Sequence, residues 1–205
     1  MLVLNFYPEI QEKLTPEREL FLINPLPRGI TNGIAFSFVD LYPPLFVMLK
    51  ALTPKHYGFR EFNQIPWHNL YYRKDKLVAI TCLTSSSAEA YKIAKEFRKQ
   101  GSKVIMVGPY VTYLPDEALE YCDSVVIGEA EGVWREVIRD YEKGALKQKY
   151  MGEAKPEDYK AVHQELLNSL PEVIKNFLET TRSCKFNCYF CTIPSICGGR
   201  LIKKT

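Results

Sequence analysis

The hydrophobic positions of this chain fall into short unbroken runs, separated by segments in which apolar residues recur with helical spacing. Leu20–Ile23, Leu77–Cys82, Val104–Val107 and Ser124–Ile127 are such runs. A continuous apolar run, unlike strict alternation, is typical of a strand that is buried on both faces of a parallel sheet. A fifth and weaker strand is predicted near Tyr57–Phe62.

The segments between these runs predict helices. The first begins at Pro43-Pro44, because proline is favoured in the first turn of a helix. In the second, Ser85-Ser86-Ser87 offer an N-cap and Gly101 supplies the stop. Four helices are predicted in this part of the chain, over residues 43–52, 88–99, 115–121 and 132–143.

Strands that alternate with helices predict an α/β fold, specifically a flavodoxin-like (Rossmann-like) doubly wound parallel sheet with the strand order 2-1-3-4-5. In such a sheet a ligand lies outside the carboxyl ends of the strands, at the switch point between the first and third strands. The loops at Asn24–Gly29, Thr81–Ser87, Gly108–Thr112 and Gly128–Glu131 are therefore the candidate site loops.

Within those loops, five residues are candidates for binding a cofactor: Thr84, Ser85, Gly108, Gly128 and Glu129. Glycine lets backbone N–H groups approach a phosphate or an amide-rich ligand closely. Each glycine can equally serve a strand-end turn, and Glu129 is also well placed to interact with a helix dipole.

A change of composition predicts a domain boundary after residue 146, beyond the helix predicted over 132–143. Residues 1–146 form the α/β domain, and residues 147–172 are polar and charged, as a linker would be. A helix is predicted to begin within that linker at Pro156–Tyr159. The apolar run at 173–178 can form a short strand that opens the last segment, residues 173–205.

Composition narrows the function classes. The chain has 205 residues, 46% of them hydrophobic, and a net charge of only +3, which gives no reason to expect a nucleic-acid partner. No apolar run approaches the ~20 residues of a membrane span, and the N-terminus lacks the pattern of a signal peptide. Six cysteines without an export signal suggest a reducing compartment and metal binding, so we expect a cytoplasmic protein.

Three of the cysteines fall within eight residues, at the spacing C-x3-C-x2-C: Cys184, Cys188 and Cys191. Thiolates are soft ligands that select iron–sulfur clusters, zinc or copper(I). Three ligands leave one position of a four-iron cluster open for a substrate or cofactor. The alternative is a structural zinc site with Cys197 as the fourth ligand, although such sites more often use two C-x2-C or C-x4-C pairs.

This segment resembles the cluster loop of radical S-adenosylmethionine (SAM) enzymes, in which an aromatic residue, here Phe190, precedes the third cysteine. Glu179–Cys184 is similar to the end of the first barrel strand in the subgroup that carries a cobalamin-binding domain. The residues before the linker resemble that domain, most closely at Gly108–Thr112 and Ala118–Glu131.

The resemblance implies a [4Fe–4S] cluster on Cys184, Cys188 and Cys191, with Phe190 shielding it. It further implies SAM bound to the fourth iron, cobalamin as a second cofactor, and methyl transfer or a rearrangement as the reaction. The motif does not identify the substrate, which could be a small molecule or a peptide. The competing hypothesis is a non-catalytic α/β binding module whose cysteines hold structural zinc.

Three departures from the family pattern bear on these expectations. Asn24–Pro27 replaces the D-x-H-x-x-G motif of some cobalamin proteins, and Gly108–Val111 stands where relatives often read Gly-Gly-x-His, so cobalamin binding is left open. Only 14 residues follow Cys191, too few for a barrel. The expectation is therefore the first strand and cluster loop of an incomplete barrel, in a fragment or in a chain that a second chain completes.

Overall fold

The fold is that of a computed structural model, which describes residues 18–25, 43–65, 74–155, 158–160, 162, 181–186, 188–196 and 202–203. Six parallel strands form one sheet in the order β2-β1-β3-β4-β5-β6. Their bounds are β1 Arg18–Pro25, β2 Tyr57–Ile65, β3 Leu77–Thr81, β4 Lys103–Val107, β5 Ser124–Gly128 and β6 Lys149–Gly152. The predicted parallel α/β sheet and the order of its first five strands are confirmed.

The connections between strands contain helices, as predicted. The bounds are α1 Pro44–Leu52, α2 Ser87–Lys99, α3 Pro109–Tyr113, α4 Pro115–Leu119 and α5 Trp134–Glu142, with 3-10 turns at Thr84–Ser86 and Ala130–Gly132. The short helix α3 was not predicted. Its first residue is Pro109, and proline at this position pre-sets the helical backbone.

Alternate residues of the strands point to opposite faces of the sheet, and each face is covered by helices. Leu20 and Leu22 of β1 pack in a cluster with α1 and α5, whereas Phe21 and Ile23 pack with α2. The rings of Phe21 and Phe97 meet edge to face, with their centroids 5.9 Å apart. This two-sided burial explains why the strands read as unbroken apolar runs.

The sheet extends past residue 146, into the segment for which a linker is predicted. β6 pairs with β5 in parallel, from Lys149 opposite Val125 to Gly152 opposite Gly128. Only Tyr150 of this edge strand is buried, and its hydroxyl donates to Asp140 over 3.0 Å. Charged neighbours and a single buried side chain make such a strand look like a linker in the sequence.

The last described segments contain β7 Thr181–Arg182, α6 Ile193–Ile196 and β8 Ile202–Lys203. β7 and β8 pair antiparallel in a small separate sheet. The structure therefore shows no barrel strand among the residues described here. The predicted strand at 173–178 and most of the helix predicted from Pro156 lie outside the described residues.

Candidate functional site

A row of hydrogen-bonded polar side chains crosses three strand ends at the carboxyl edge of the sheet. Thr81 Oγ1 at the end of β3 donates to Asn24 Oδ1 over 2.7 Å, and Asn24 Nδ2 on β1 donates to Asn63 Oδ1 on β2 over 2.8 Å. The switch point of the sheet, where ligands of such folds bind, lies between β1 and β3, the strands that carry Asn24 and Thr81. The row offers amide and hydroxyl groups for orienting a polar ligand.

Asn24 and Thr81 belong to the loops predicted from the sequence, whereas Asn63 does not. The only signal for Asn63 was its position at the end of a weak strand, and its pairing with Asn24 depends on the register of β1 and β2. Thr84 and Ser85, predicted to bind a cofactor, lie next to this row in an exposed 3-10 turn. Their exposure leaves that prediction open.

Gly108 is required by the packing of neighbouring strand ends. Its φ is +118°, and a Cβ atom there would lie 2.9 Å from the Cys82 carbonyl oxygen. The same oxygen accepts a hydrogen bond from the Tyr110 N–H over 3.2 Å. The close approach accounts for glycine at this position without a ligand, and a role in binding stays a prediction.

The ends of β4 and β5 are joined through Thr112. Its hydroxyl donates to the Gly108 carbonyl oxygen over 3.0 Å and accepts from the Gly128 N–H over 3.1 Å. Gly128 has a φ of +85°, and a Cβ atom there would lie only 2.5 Å from the Gly152 carbonyl oxygen. Gly128 is thus needed where β5 and β6 end side by side.

Glu129 is buried, with 5% of its surface exposed. Its Oε1 accepts from the Tyr159 hydroxyl over 2.5 Å, and its Oε2 accepts from the Ala154 N–H over 3.3 Å. Both carboxylate oxygens are therefore engaged by the chain that follows β6. This arrangement favours the structural alternative for Glu129 over cofactor binding, which stays a prediction.

Two further cysteines lie in the core of the same domain. Cys82 and Cys122 are free thiols, 0% and 2% exposed. Burial raises the pKa of each of these thiols to about 12. They are protonated at neutral pH and are not poised to act as nucleophiles or metal ligands.

The cysteine motif lies in an irregular segment between β7 and α6. Cys184 and Cys191 are half-buried, Cys188 is exposed, and all three are free. A turn brings the Cys191 N–H within 3.0 Å of the Cys188 carbonyl oxygen. The neighbouring rings are open to solvent, since Tyr189 is 100% and Phe190 76% exposed.

The ligand chemistry of this segment fits a soft metal centre, but the placement of the side chains does not. Among the residues that the structure describes, no three His, Cys, Asp or Glu side chains are placed to hold a metal ion. The prediction that the loop folds its three sulfur atoms onto one centre is thus not seen here. Cys197, the fourth ligand of the zinc alternative, lies outside the described residues.

The segment after the motif contacts the carboxyl edge of the sheet. The Tyr113 hydroxyl, at the end of α3, donates a hydrogen bond to the carbonyl oxygen of Thr192. A Cβ atom at Gly128 would lie 3.9 Å from the carbonyl oxygen of Ile196 in α6. The cysteine motif and the ends of β4 and β5 are therefore neighbours, a relationship that no spacing in the sequence revealed.

None of the helices in the described part of the chain is both long enough and apolar enough to cross a membrane.

Comparisons with known proteins identify methyltransferases as relatives. The chain is 31% identical over 168 residues to the bacteriochlorophyllide d C-8(2)-methyltransferase of Chlorobaculum tepidum, which covers 76% of this chain and 37% of the relative. It is 32% identical over 188 residues to the bacteriochlorophyllide d C-12(1)-methyltransferase of the same organism, covering 84% of this chain and 40% of the relative. An uncharacterized methyltransferase of Pyrococcus horikoshii is 28% identical over 150 residues, 60% of this chain and 33% of the relative.

No family model matches the chain, and no solved structure matches it either. The identification of the chain as the N-terminal portion of a cobalamin-binding-domain radical SAM protein is therefore wrong. Its relatives are bacteriochlorophyllide methyltransferases, and no model of a cobalamin-binding or radical SAM domain supports the resemblance. The chain spans about two-fifths of the length of these two relatives.

Proposed function

We propose that this chain is part of a SAM-dependent methyltransferase that acts on a bacteriochlorophyllide-type tetrapyrrole. The observation that carries this proposal is its similarity to two relatives named for methyl transfer to bacteriochlorophyllide d, at 31% and 32% identity. The third relative is also named as a methyltransferase, which supports methyl transfer independently of the pigment.

The α/β domain supports the proposal because it has an edge suited to ligands. The Thr81–Asn24–Asn63 row presents polar groups at the switch point of the sheet. Exposed apolar side chains lie in the loops that follow β3 and β4, among them Leu83 and Leu114. Polar strand ends, together with exposed apolar side chains on the connections that follow the strands, suit a ligand with both kinds of surface.

The proposal is tested by titrating the purified chain with bacteriochlorophyllide d and following the pigment's absorption bands. We expect saturable binding by the folded chain, and weaker binding by the variant Asn24→Ala. The control is Gln100→Ala, which removes an exposed amide side chain at the end of α2, away from the β1 strand end. A folded chain that leaves the pigment spectrum unchanged, and that retains no labelled SAM in equilibrium dialysis, would contradict the proposal.

A finer proposal concerns the cysteines. We infer that Cys184, Cys188 and Cys191 hold a [4Fe–4S] cluster at which SAM is bound. Their soft thiols, their spacing and their freedom from disulfides support it. Because the described residues contain no group placed to hold a metal ion, binding would have to draw the three sulfur atoms together.

Metal analysis after anaerobic incubation with iron and sulfide separates the competing hypotheses. Iron and acid-labile sulfide that are lost in Cys188→Ala, but kept in the buried-thiol control Cys122→Ala, would support the cluster. Stoichiometric zinc without sulfide would instead support the non-catalytic module with a structural metal. Either result leaves the pigment titration as a separate test of methyltransferase function.

A further inference from the structure

Helix α3 contacts both the strand ends of the sheet and the chain that follows the cysteine motif. Its last two residues point to different partners. Thr112 bonds to the Gly128 N–H at the end of β5, and Tyr113 donates to the carbonyl oxygen of Thr192. Thr192 directly follows Cys191, the last cysteine of the motif. A displacement of α3 would therefore move Thr192, the residue next to the predicted metal ligand Cys191.

Tyr113 contributes little to the core of the domain. Its side chain is 39% exposed, whereas Val111 of the same helix is fully buried and supplies the packing. The Tyr113 hydroxyl is thus spared from core packing, and its hydrogen bond crosses 79 positions of the sequence. A hydrogen bond between residues so far apart in the sequence, made by a partly exposed side chain, fixes the position of the segment after Cys191 relative to α3.

The end of α6 supplies a second, independent contact at the same edge. The carbonyl oxygen of Ile196 lies over Gly128, 3.9 Å from the place where a Cβ atom would be. Gly128 is held in turn by Thr112 and by the carboxyl end of β6. Thr192 therefore contacts α3, the helix that follows β4, and Ile196 lies next to the end of β5.

We propose that Tyr113 is a positioning residue that anchors the chain directly after Cys191 to the carboxyl edge of the sheet. The anchor sets where the cysteine motif lies relative to the polar row at the switch point. It acts through the Thr192 carbonyl group and does not touch a metal or a substrate. The inference goes beyond the proposed function, since it holds for iron or zinc and for any methyl acceptor.

The test compares Tyr113→Phe with Tyr110→Phe in the full 205-residue chain. Both variants remove one hydroxyl group from α3, but the Tyr110 hydroxyl bonds to Glu117 on α4 and not to the cysteine segment. Hydrogen–deuterium exchange is measured for peptides covering residues 188–196, and alkylation rates are measured for Cys188 and Cys191. Thermal unfolding of each variant shows whether the domain itself is intact.

In Tyr113→Phe we expect exchange in residues 190–196 to rise about fivefold, the effect of losing one ordinary hydrogen bond on local opening. Alkylation of the half-buried Cys191 should accelerate by a similar factor, while the exposed Cys188 and the unfolding midpoint stay unchanged. A residue that only stabilised the fold would shift the midpoint and not the Cys191 rate alone. The control Tyr110→Phe should match the unchanged chain.

Equal exchange and equal Cys191 reactivity in the two variants would overturn the proposal. The outcome does not depend on the cluster, because both measurements use metal-free protein. Should the chain fail to take up iron, the cluster hypothesis would fall while the exchange comparison still decides the role of Tyr113. Should Tyr113→Phe unfold, Tyr113 would be needed for the stability of the domain itself, and that outcome would also overturn the proposal.

Discussion

Tyr159 donates a hydrogen bond from its hydroxyl to the buried carboxylate of Glu129, with 2.5 Å between the two oxygen atoms. The bond joins the turn after β5 to the chain beyond β6, thirty positions later in the sequence. Since the other carboxylate oxygen accepts from the Ala154 N–H, Glu129 fastens the edge strand at its carboxyl end. Glu129, a candidate ligand-binding residue in the sequence, thus has both carboxylate oxygens hydrogen-bonded within the domain.

Replacing Glu129 with Gln should destabilise the domain by about 1–3 kcal/mol, the typical cost of a broken buried hydrogen bond. Gln can accept from Tyr159 with its one oxygen, but its amide N–H₂ would then face the Ala154 N–H, donor against donor. Urea unfolding followed by circular dichroism measures the change. Glu120→Gln, an exposed control on the same domain, should leave the midpoint where it is, and equal midpoints for both variants would contradict the assigned role.

Thr53→Val should also cost about 1–3 kcal/mol, because it leaves a buried donor without its acceptor. The indole N–H of Trp134, fully buried at the start of α5, donates to Thr53 Oγ1 over 2.8 Å. A double-mutant cycle with Trp134→Phe isolates the pair from the loss of packing. Additive effects of the two substitutions in urea unfolding would show that the bond contributes nothing.

Gly128→Ala and Gly144→Ala separate backbone strain from steric overlap. Both glycines have positive φ, +85° and +67°, where alanine costs roughly 1–2 kcal/mol. No atom lies within 4 Å of a Cβ at Gly144, whereas one at Gly128 would press on the Gly152 carbonyl oxygen. We expect Gly128→Ala to lose about 1–3 kcal/mol more in chemical denaturation. A smaller loss than at Gly144 would mean that the β5 and β6 ends can part freely.

Alkaline pH should destabilise the domain through its two buried thiols. The pKa of Cys82 and that of Cys122 are raised from 9.0 to about 12 by burial, so between these values the unfolded chain releases protons that the folded chain retains. The stabilising difference is complete below pH 9 and is lost as the pH rises toward 12. The unfolding free energy, measured by urea titration across that window, should fall less steeply in Cys82→Ala/Cys122→Ala than in the unchanged chain. Parallel slopes would argue against burial of the thiols.

Much of the sheet could be predicted from the sequence because its strands are buried on both faces. A run such as Leu77–Thr81, in which all five residues are buried, has no reason to contain polar positions. β6 escaped prediction because an edge strand with one buried side chain, Tyr150, leaves no such run. Helix α3 escaped because its five residues are too few to show a period.

The candidate site was only partly within reach of the sequence. Loops at the carboxyl edge follow from the parallel topology, and they contain Asn24 and Thr81 as expected. The partner Asn63 depends on strand register, and the contact of Tyr113 with Thr192 depends on how distant segments pack. Neither relationship leaves a local pattern. The cysteine spacing, by contrast, is a strong local pattern, and it led to a family identification that the relatives do not support.

The position of β1 between β2 and β3 has a consequence for how the chain reaches its native state. β1 is an interior strand that pairs on both sides, and its neighbour β3 begins more than fifty residues further along the chain. During synthesis, β1 can pair on both edges only after Leu77–Thr81 has emerged. Until then, its apolar side chains remain exposed. Nascent chains stalled before residue 77 should for this reason bind chaperones that capture exposed hydrophobic strands, and chains stalled well past Thr81 should release them.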